Sequence, residues 1–240
     1  METAGYVSLT RQTGLWKEMQ TVANNIANLS TTGYRREGVV FAEMIKALPT
    51  EGGSIAMTAA RARFSDPSQG GLSQSQNPFD MAIQGRGYFM VETPDGNRLT
   101  RAGAFVLNTA GELVNPDGLR VLDLGGAPIF IPPDASQVAV AQDGTLSANG
   151  RPLAQIGIFD VEDPNAMLRQ SGTIFDPGEE PIPVDDPVVL QGFIEGSNVN
   201  PVTEIARMIE VQRIYELGQK FLDNEHERIR TVTRTLGQRA

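Results

Sequence analysis

NPVTEIARMIEVQRIYELGQKFLDNEHERIRTVTRTL, residues 200–236, reads as one long helix. Asn200 offers a side-chain cap, and Pro201 takes the first helical position, where no N–H is needed. Glu204 sits near the positive end of the helix dipole. No proline follows Pro201. Met208, Tyr215, Leu222, Ile229 and Leu236 recur every seven residues, while their companions Ile205, Gln212, Gln219, His226 and Thr233 are mostly polar. Such a helix is about 54 Å long at ~1.5 Å per residue. That is more than a small domain needs, and a half-polar seam is poor core for a lone molecule. It suits a helix that shares its surface among several neighbours.

The opposite end of the chain carries a second helical pattern. Leu15, Met19, Val22, Ile26 and Leu29 alternate steps of four and three, the seam of a helix packing lengthwise on another. Gly33, after Ser30-Thr31-Thr32, is the expected stop. Gly5 and Gly14 each cost roughly 1 kcal/mol against alanine in a helix interior, so this helix is weak without a partner. Asn24, Asn25 and Asn28 interrupt the apolar stretch. Buried amides need partners, which points to another chain or to the following turn; a polar outer face fits the spacing equally well.

Between the helices, residues 34–76 read as a transition. Phe41, Met44, Ile45 and Leu48 fit a brief helical extension, and Pro49–Gly53 and Ser65–Gln76 are loop chemistry. Residues 77–195 read as a β domain. Pro94-Asp95-Gly96, Pro116-Asp117-Gly118, Asp143-Gly144 and Asn149-Gly150 punctuate runs such as Tyr88–Val91, Ala104–Leu107, Ile129–Ile131, Gln155–Phe159 and Val188–Leu190. Pro177–Pro187 reads as a further loop. The expected fold is α+β: residues 1–33 and 196–240 pair as a coiled-coil-like inner layer, and a mainly antiparallel β domain lies between.

Composition narrows the function. The 240 residues carry a net charge of −9, which argues against nonspecific binding to nucleic acid or anionic lipid. The charge is uneven: residues 1–48 and 201–240 are each +1, and the middle is −11. Balanced ends suit surfaces that pack on copies of themselves. There is no cysteine, so disulfides and thiolate metal sites are excluded. No Sec-type signal is expected from the opening residues, and no apolar run approaches the ~18 residues of a membrane span.

Catalytic constellations are missing. His226 is the single histidine and falls on a helix among Glu225, Glu227 and Arg228. Gly85-Arg86-Gly87 precedes a strand and lacks the third glycine of a dinucleotide loop. Glu179-Glu180 and Asp185-Asp186 could serve a hydrolase only if paired across a cleft; their proline-rich setting reads as a solvated loop. No enzyme activity, metal or cofactor is expected. A carbohydrate-binding or hydrolytic β domain and a monomeric adaptor are the rival classes.

Four stretches then carry a resemblance. VANNIANLSTTGYRRE (22–37), followed by Phe41, resembles the N-terminal signature of bacterial flagellar rod and hook proteins, and IEGSNVNPVTEIARMIEVQRIYE (194–216) resembles their C-terminal one. NPFDMAIQGRGYFMV (77–91) and TRAGAFVLNTAGELVNPDG (100–118) resemble the middle of the same class. The short middle, SLTRQTGLWKEMQ near the start and the RMIEVQR run resemble the proximal-rod branch most, with the distal rod as competitor. The resemblance implies a non-catalytic subunit of the basal-body rod. It would polymerise with itself and other rod proteins through its terminal helices, into a shaft around the export channel. Export would proceed by the flagellar type III route without a cleaved signal, into the periplasm-spanning rod. The residues expected at subunit contacts are Leu15, Met19, Val22, Asn24, Asn25, Ile26, Asn28, Leu29, Tyr34, Arg35, Arg36 and Phe41. Toward the other end they are Ser197, Asn198, Ile205, Met208, Ile209, Gln212, Arg213, Tyr215, Leu222 and Ile229.

Overall fold

In the computed structural model, residues 2–47, 54–164 and 166–237 are described. The chain is α+β, with a helix toward each end and mainly antiparallel strands between them. It divides into two compact units. One comprises Met1–Ala27, Glu37–Phe64 and Asn200–Ala240; the other comprises Asn28–Arg36 and Ser65–Val199.

The first unit is built on α1 (Glu2–Ala27) and α2 (Pro201–Gly237). The start of α2 follows its cap: Asn200 Oδ1 accepts the N–H groups of Val202 and Thr203 at 3.0 and 3.2 Å. The two helices run antiparallel. Asn25 meets Glu204, Glu18 meets Arg207 and Gln12 meets Tyr215, so numbers fall along one helix as they rise along the other. α1 ends at Ala27, earlier than the glycine signal at Gly33 suggests. Asn28 ends it by local bonding: its carbonyl accepts Thr31 N–H at 3.2 Å and its Oδ1 accepts the Thr31 hydroxyl at 3.0 Å.

The same unit holds a two-stranded ribbon of β1 (Glu37–Ala47) and β2 (Ser54–Ser65). This corrects the expected helical extension, because Phe41, Met44 and Ile45 lie in β1. Adjacent β-branched Val39 and Val40 favour a strand, and the matching run in β2 supplies the pairing partner. Leu48 and the Pro49–Gly53 turn lie outside the described residues.

The second unit is a β domain. A nine-stranded sheet is organised on the strand Tyr88–Thr93, which pairs antiparallel with Gly96–Thr100, Arg120–Val121 and Ile158–Asp160. Both faces of that strand are buried. Phe89 and Val91 join one apolar cluster with Met81, Phe105 and Ile131; Tyr88 and Met90 join another with Leu99 and Phe175. A separate three-stranded sheet turns at Asn149-Gly150, where both residues have positive φ (51° and 77°), as the Asn-Gly signal demands. Ile129–Ile131 makes bridges rather than a strand, yet alternates as one: Ile129 and Ile131 are buried and Phe130 is exposed. The expected loop 177–187 contains a two-residue strand, Ile182–Pro183, paired to Phe159–Asp160.

Candidate assembly interface

In the helical unit the inward face of α1 follows the predicted seam. Leu15 and Val22 are buried, and Met19 and Ile26 are half-buried. On α2, Met208, Tyr215 and Leu222 are half-buried, and Val211 is wholly buried. The companion positions differ from the expected ones by a residue. Glu204, Val211, Gly218 and Glu225 face inward, whereas Ile205, Gln212, Gln219 and His226 are exposed. The inward set is hard to recognise because it mixes one apolar residue with two carboxylates and a glycine. Gly218 is there for close approach: a Cβ would lie 1.9 Å from Gln12 Nε2, which donates to Tyr215 O at 3.0 Å. Thr233 and Leu236 are described for the backbone only.

Two polar ties that the sequence did not advertise hold the pair. Glu18 Oε1 accepts from Arg207 Nε at 2.7 Å, and Arg207 also binds Glu210 at 2.8 Å. Burial would lower the Arg207 pKa, but these carboxylates outweigh it and the guanidinium is held more firmly charged. The second tie is Asn25, fully buried. Its Nδ2 donates to Glu37 O at 2.8 Å and to Glu204 Oε2 at 3.0 Å, and its Oδ1 accepts Glu37 N–H at 2.9 Å. One amide thus joins α1, β1 and α2. Within the chain Asn25 is fully buried and its amide is used by Glu37 and Glu204. Asn28 likewise serves the turn that follows α1. Asn24 remains on the exposed side.

Six further expected interface residues sit in the β unit. Arg35 is buried against Glu195 at 2.7 Å and also bonds Ser68 O; Arg101 approaches the same carboxylate at 3.5 Å. Burial lowers the Arg101 pKa; Glu195 opposes that and Arg35 reinforces it. Tyr88 lies beneath Arg101, 5.4 Å from guanidinium carbon to ring centroid, and burial raises its pKa against the pull of both arginines. Tyr34 is buried, with Arg169 stacked over its ring at 4.4 Å and over Phe175 at 4.6 Å. Asn198 receives Arg36 N–H at 2.6 Å and donates to Asp66 O and Ser68 O at 3.1 and 2.8 Å. Ser197 Oγ accepts Val199 N–H at 3.3 Å. Gly33 takes φ 70° and donates to Glu195 O at 2.7 Å; a Cβ there would fall 2.3 Å from Ala102 N. Tyr34 and Arg35 are thus buried within the β unit, and Arg36 and Leu29 are half-buried. Arg101, Arg169 and Glu195 escaped notice because nothing in their spacing announces a shared site.

Large apolar side chains stay exposed in both units: Phe130, Leu168 and Ile182 among others in the β unit, and a longer series on the two helices. Leu9 (56%) and Trp16 (50%) stand seven residues apart on α1. Val202 (76%), Ile205 (50%), Ile209 (45%), Leu217 (65%), Phe221 (46%), Ile229 (48%) and Val232 (48%) stand along α2. Arg213 and Gln212 lie among them, and Phe41 of β1 is also exposed. Of the rival carboxylates, Glu179 has a structural use: its Oε1 accepts the N–H groups of Glu162 and Asp163 at 2.9 and 3.1 Å. Among the described residues no group of three or more His, Asp or Glu side chains could hold a metal.

Comparison with known proteins accounts for this division. Residues 6–35 match the family profile described as "Flagella basal body rod protein", 82–148 match "Flagellar hook protein FlgE/F/G D1 domain", and 190–235 match "Flagellar basal body rod FlgEFG protein C-terminal". A "Flagellar basal-body rod protein FlgF" from Caulobacter vibrioides is 38% identical over 246 residues, covering 99% of each chain. Its namesake from Mesorhizobium japonicum is 36% identical over 97% of this chain and 98% of its own. The chain belongs to the flagellar basal-body rod protein family. A "Flagellar basal-body rod protein FlgG" from Agrobacterium fabrum is 32% identical over 91% of this chain and 93% of its own. Within the rod family's matched regions, the first profile covers most of α1 and ends at Arg35, and the last covers nearly all of α2. No helix among the described residues is long and apolar enough to cross a membrane.

Proposed function

We propose that this rod-family chain is a structural subunit of the proximal flagellar rod, polymerising with copies of itself and with other rod proteins through α1 and α2. The observation that carries this reading is the exposed apolar surface of the helix pair. Fully burying one such side chain is worth ~1.5–3 kcal/mol. Helices that a lone chain leaves half-wetted are therefore ordered further when neighbours cover them. In the polymer the helices form a coiled-coil layer around the export channel, and contacts among many copies resist twisting, which a torque shaft requires. Catalysis has no part in this, and neither does a ligand. The chain reaches the periplasm-spanning rod by flagellar type III export.

The proximal position is favoured over the distal one by the higher identity to relatives named FlgF than to the relative named FlgG. Trp16, the single tryptophan, is half exposed and lies 6.3 Å from the Tyr215 ring, so its emission reports on this surface. Raising the protein concentration, alone and with other rod chains, should shift Trp16 emission to the blue as sedimentation shows assembly. Restored motility in a strain lacking its proximal-rod subunit, but not in one lacking the distal subunit, fixes the position. A chain that stays monomeric under all these conditions overturns the reading.

A further inference from the structure

Distant stretches of the β unit converge on Glu195. Its backbone carbonyl accepts Gly33 N–H at 2.7 Å. Its Oε1 accepts Gly70 N–H at 3.0 Å beside the 2.7 Å ion pair with Arg35, and Arg101 approaches Oε2 at 3.5 Å. Around this centre Gly196 N–H donates to Gly71 O at 2.8 Å, and Asn198 accepts Arg36 N–H across 162 residues of sequence. Residues 33–36, 66–71 and 195–198 are clasped together in this way. Each stretch is close in sequence to a point where the chain passes from one unit to the other.

The chemistry of the clasp bears on when it can form. Arg35 and Arg101 are both buried and share one carboxylate. Taking two guanidiniums and a carboxylate out of water is costly, and the cost is offset only when every partner is in place. Arg101 uses Ile83 O and Gly85 O besides Glu195, and Arg35 uses Ser68 O. Ile83 lies on the strand Met81–Gln84, which is itself held by pairing with Val188–Gln191. The hairpin of Tyr88–Thr93 with Gly96–Thr100 needs none of this. It joins neighbours in sequence and sets Met90 opposite Leu99. Loop length alone separates the two events only modestly, because closure cost grows with the logarithm of length. The buried charge decides.

We infer that the Glu195 clasp is a late lock. The sheet forms first, and the clasp closes when both chain ends of the β unit have arrived. By the same order it is the first part lost on unfolding, so it sets how long the finished unit lasts. The lock does not depend on copies of the chain meeting. It does bear on the export reading above: a chain delivered in sequence, from either end, brings out one half of the clasp long before the other. The β unit then stays unlocked until the second half emerges.

Pulsed hydrogen exchange on the full chain, refolding from urea as a monomer, reads the order. Amides of Tyr88–Thr93 should gain protection roughly tenfold faster or more than those of Gly33, Gly70 and Gly196. Simultaneous protection, or protection of the glycines first, overturns the proposal. Glu195→Gln should speed unfolding by roughly a hundredfold or more and leave refolding within about twofold. Asn198→Ala removes hydrogen bonds of the clasp but no charge, and serves if the first variant does not fold. It should speed unfolding about tenfold, again with refolding unchanged. If either variant slows refolding as much as it speeds unfolding, the clasp belongs to the folding nucleus and the lock is excluded. All of these readouts come from the monomer, so a failure of the assembly reading leaves them unaltered.

Discussion

The two units of this chain finish their hydrophobic surfaces to different degrees. In the β unit the central strand is buried on both faces, and Phe89, Val91, Leu99, Phe105, Leu113 and Phe175 have no exposed surface. Among the described residues of the helical unit, α2 has one apolar side chain so enclosed, Val211, against seven large apolar side chains that are at least 45% exposed. The much longer β unit has four at that level, Val106, Phe130, Leu168 and Ile182. A closed core gives stability that no partner can add to. An open one gives stability that depends on who is near. The contrast teaches that the rod-family chain keeps its most enclosed core and its longest exposed apolar stripe in separate regions of the fold.

The largest expected effect of that contrast is on local opening. In the isolated chain, amide exchange at Tyr88–Val91 should require global unfolding, while amides beyond Glu225 in α2 need only fraying. Global stabilities of ~5–15 kcal/mol make this roughly a thousandfold difference or more in exchange rate. Equal rates, measured by mass spectrometry, would erase the comparison. On assembly the α2 amides should slow and those of Tyr88–Val91 should not change.

Next in size is the ion pair of the β unit. Glu195→Gln leaves Arg35 and Arg101 buried with no carboxylate between them, and one-sided removal of a buried pair costs about 3–5 kcal/mol. Thermal unfolding should show that loss. A variant as stable as the parent would mean that the backbone bonds of the arginines to Ser68, Ile83 and Gly85 suffice. In the helical unit the corresponding change is Asn25→Ala. It unmakes three hydrogen bonds at a buried site, two to the Glu37 backbone and one to Glu204, a cost of about 1–3 kcal/mol. Because Glu37 and Glu204 belong to the same chain as Asn25, this loss should appear in the monomer as helix melting. A normal monomer with failed assembly would restore the between-chain role.

These residues mark where reading the sequence succeeds and where it fails. The start of α2 was legible because Asn200 and Pro201 act locally, and the turn at Asn149-Gly150 because positive φ at both positions leaves few choices of residue. The ribbon of β1 and β2 was not, since Phe41, Met44 and Ile45 satisfy a helical period as well as a strand, and only pairing decides. The second line of the α2 seam was missed for a different reason. Glu204 is acceptable there because Asn25 binds it, and Gly218 because Gln12 occupies its space; neither compensation is visible along the chain. Arg35 and Tyr34 carry the rod-family resemblance correctly, yet what they hold together is this chain's own β unit. A recognised motif locates important residues without saying which partner they face.

The smallest effect belongs to Asp66, where chemistry rather than packing separates the units. Burial alone would raise its pKa. The Ser68 hydroxyl and backbone N–H, helped by the charges of Arg36 and Arg35, outweigh that and hold the carboxyl below its usual range. A carboxyl that binds its proton less readily when folded contributes stability above its unfolded pKa, near ~3.9, and loses it as pH falls through the lower folded value. At neutral pH Asp66→Asn should therefore be slightly less stable than the parent, and the gap should close as pH drops below about 4. The effect is small because Asp66 is half-exposed and its charge partners are screened by solvent. Urea unfolding midpoints from neutral to acid pH read the gap directly. If the gap stayed constant with pH, the two chains would differ by shape or hydrogen bonding alone, and the arginines would have to be removed from the account. If instead it closed for the isolated chain and for the polymer alike, the local charge balance of the β unit would be independent of neighbours, as a region whose contacts are already complete requires.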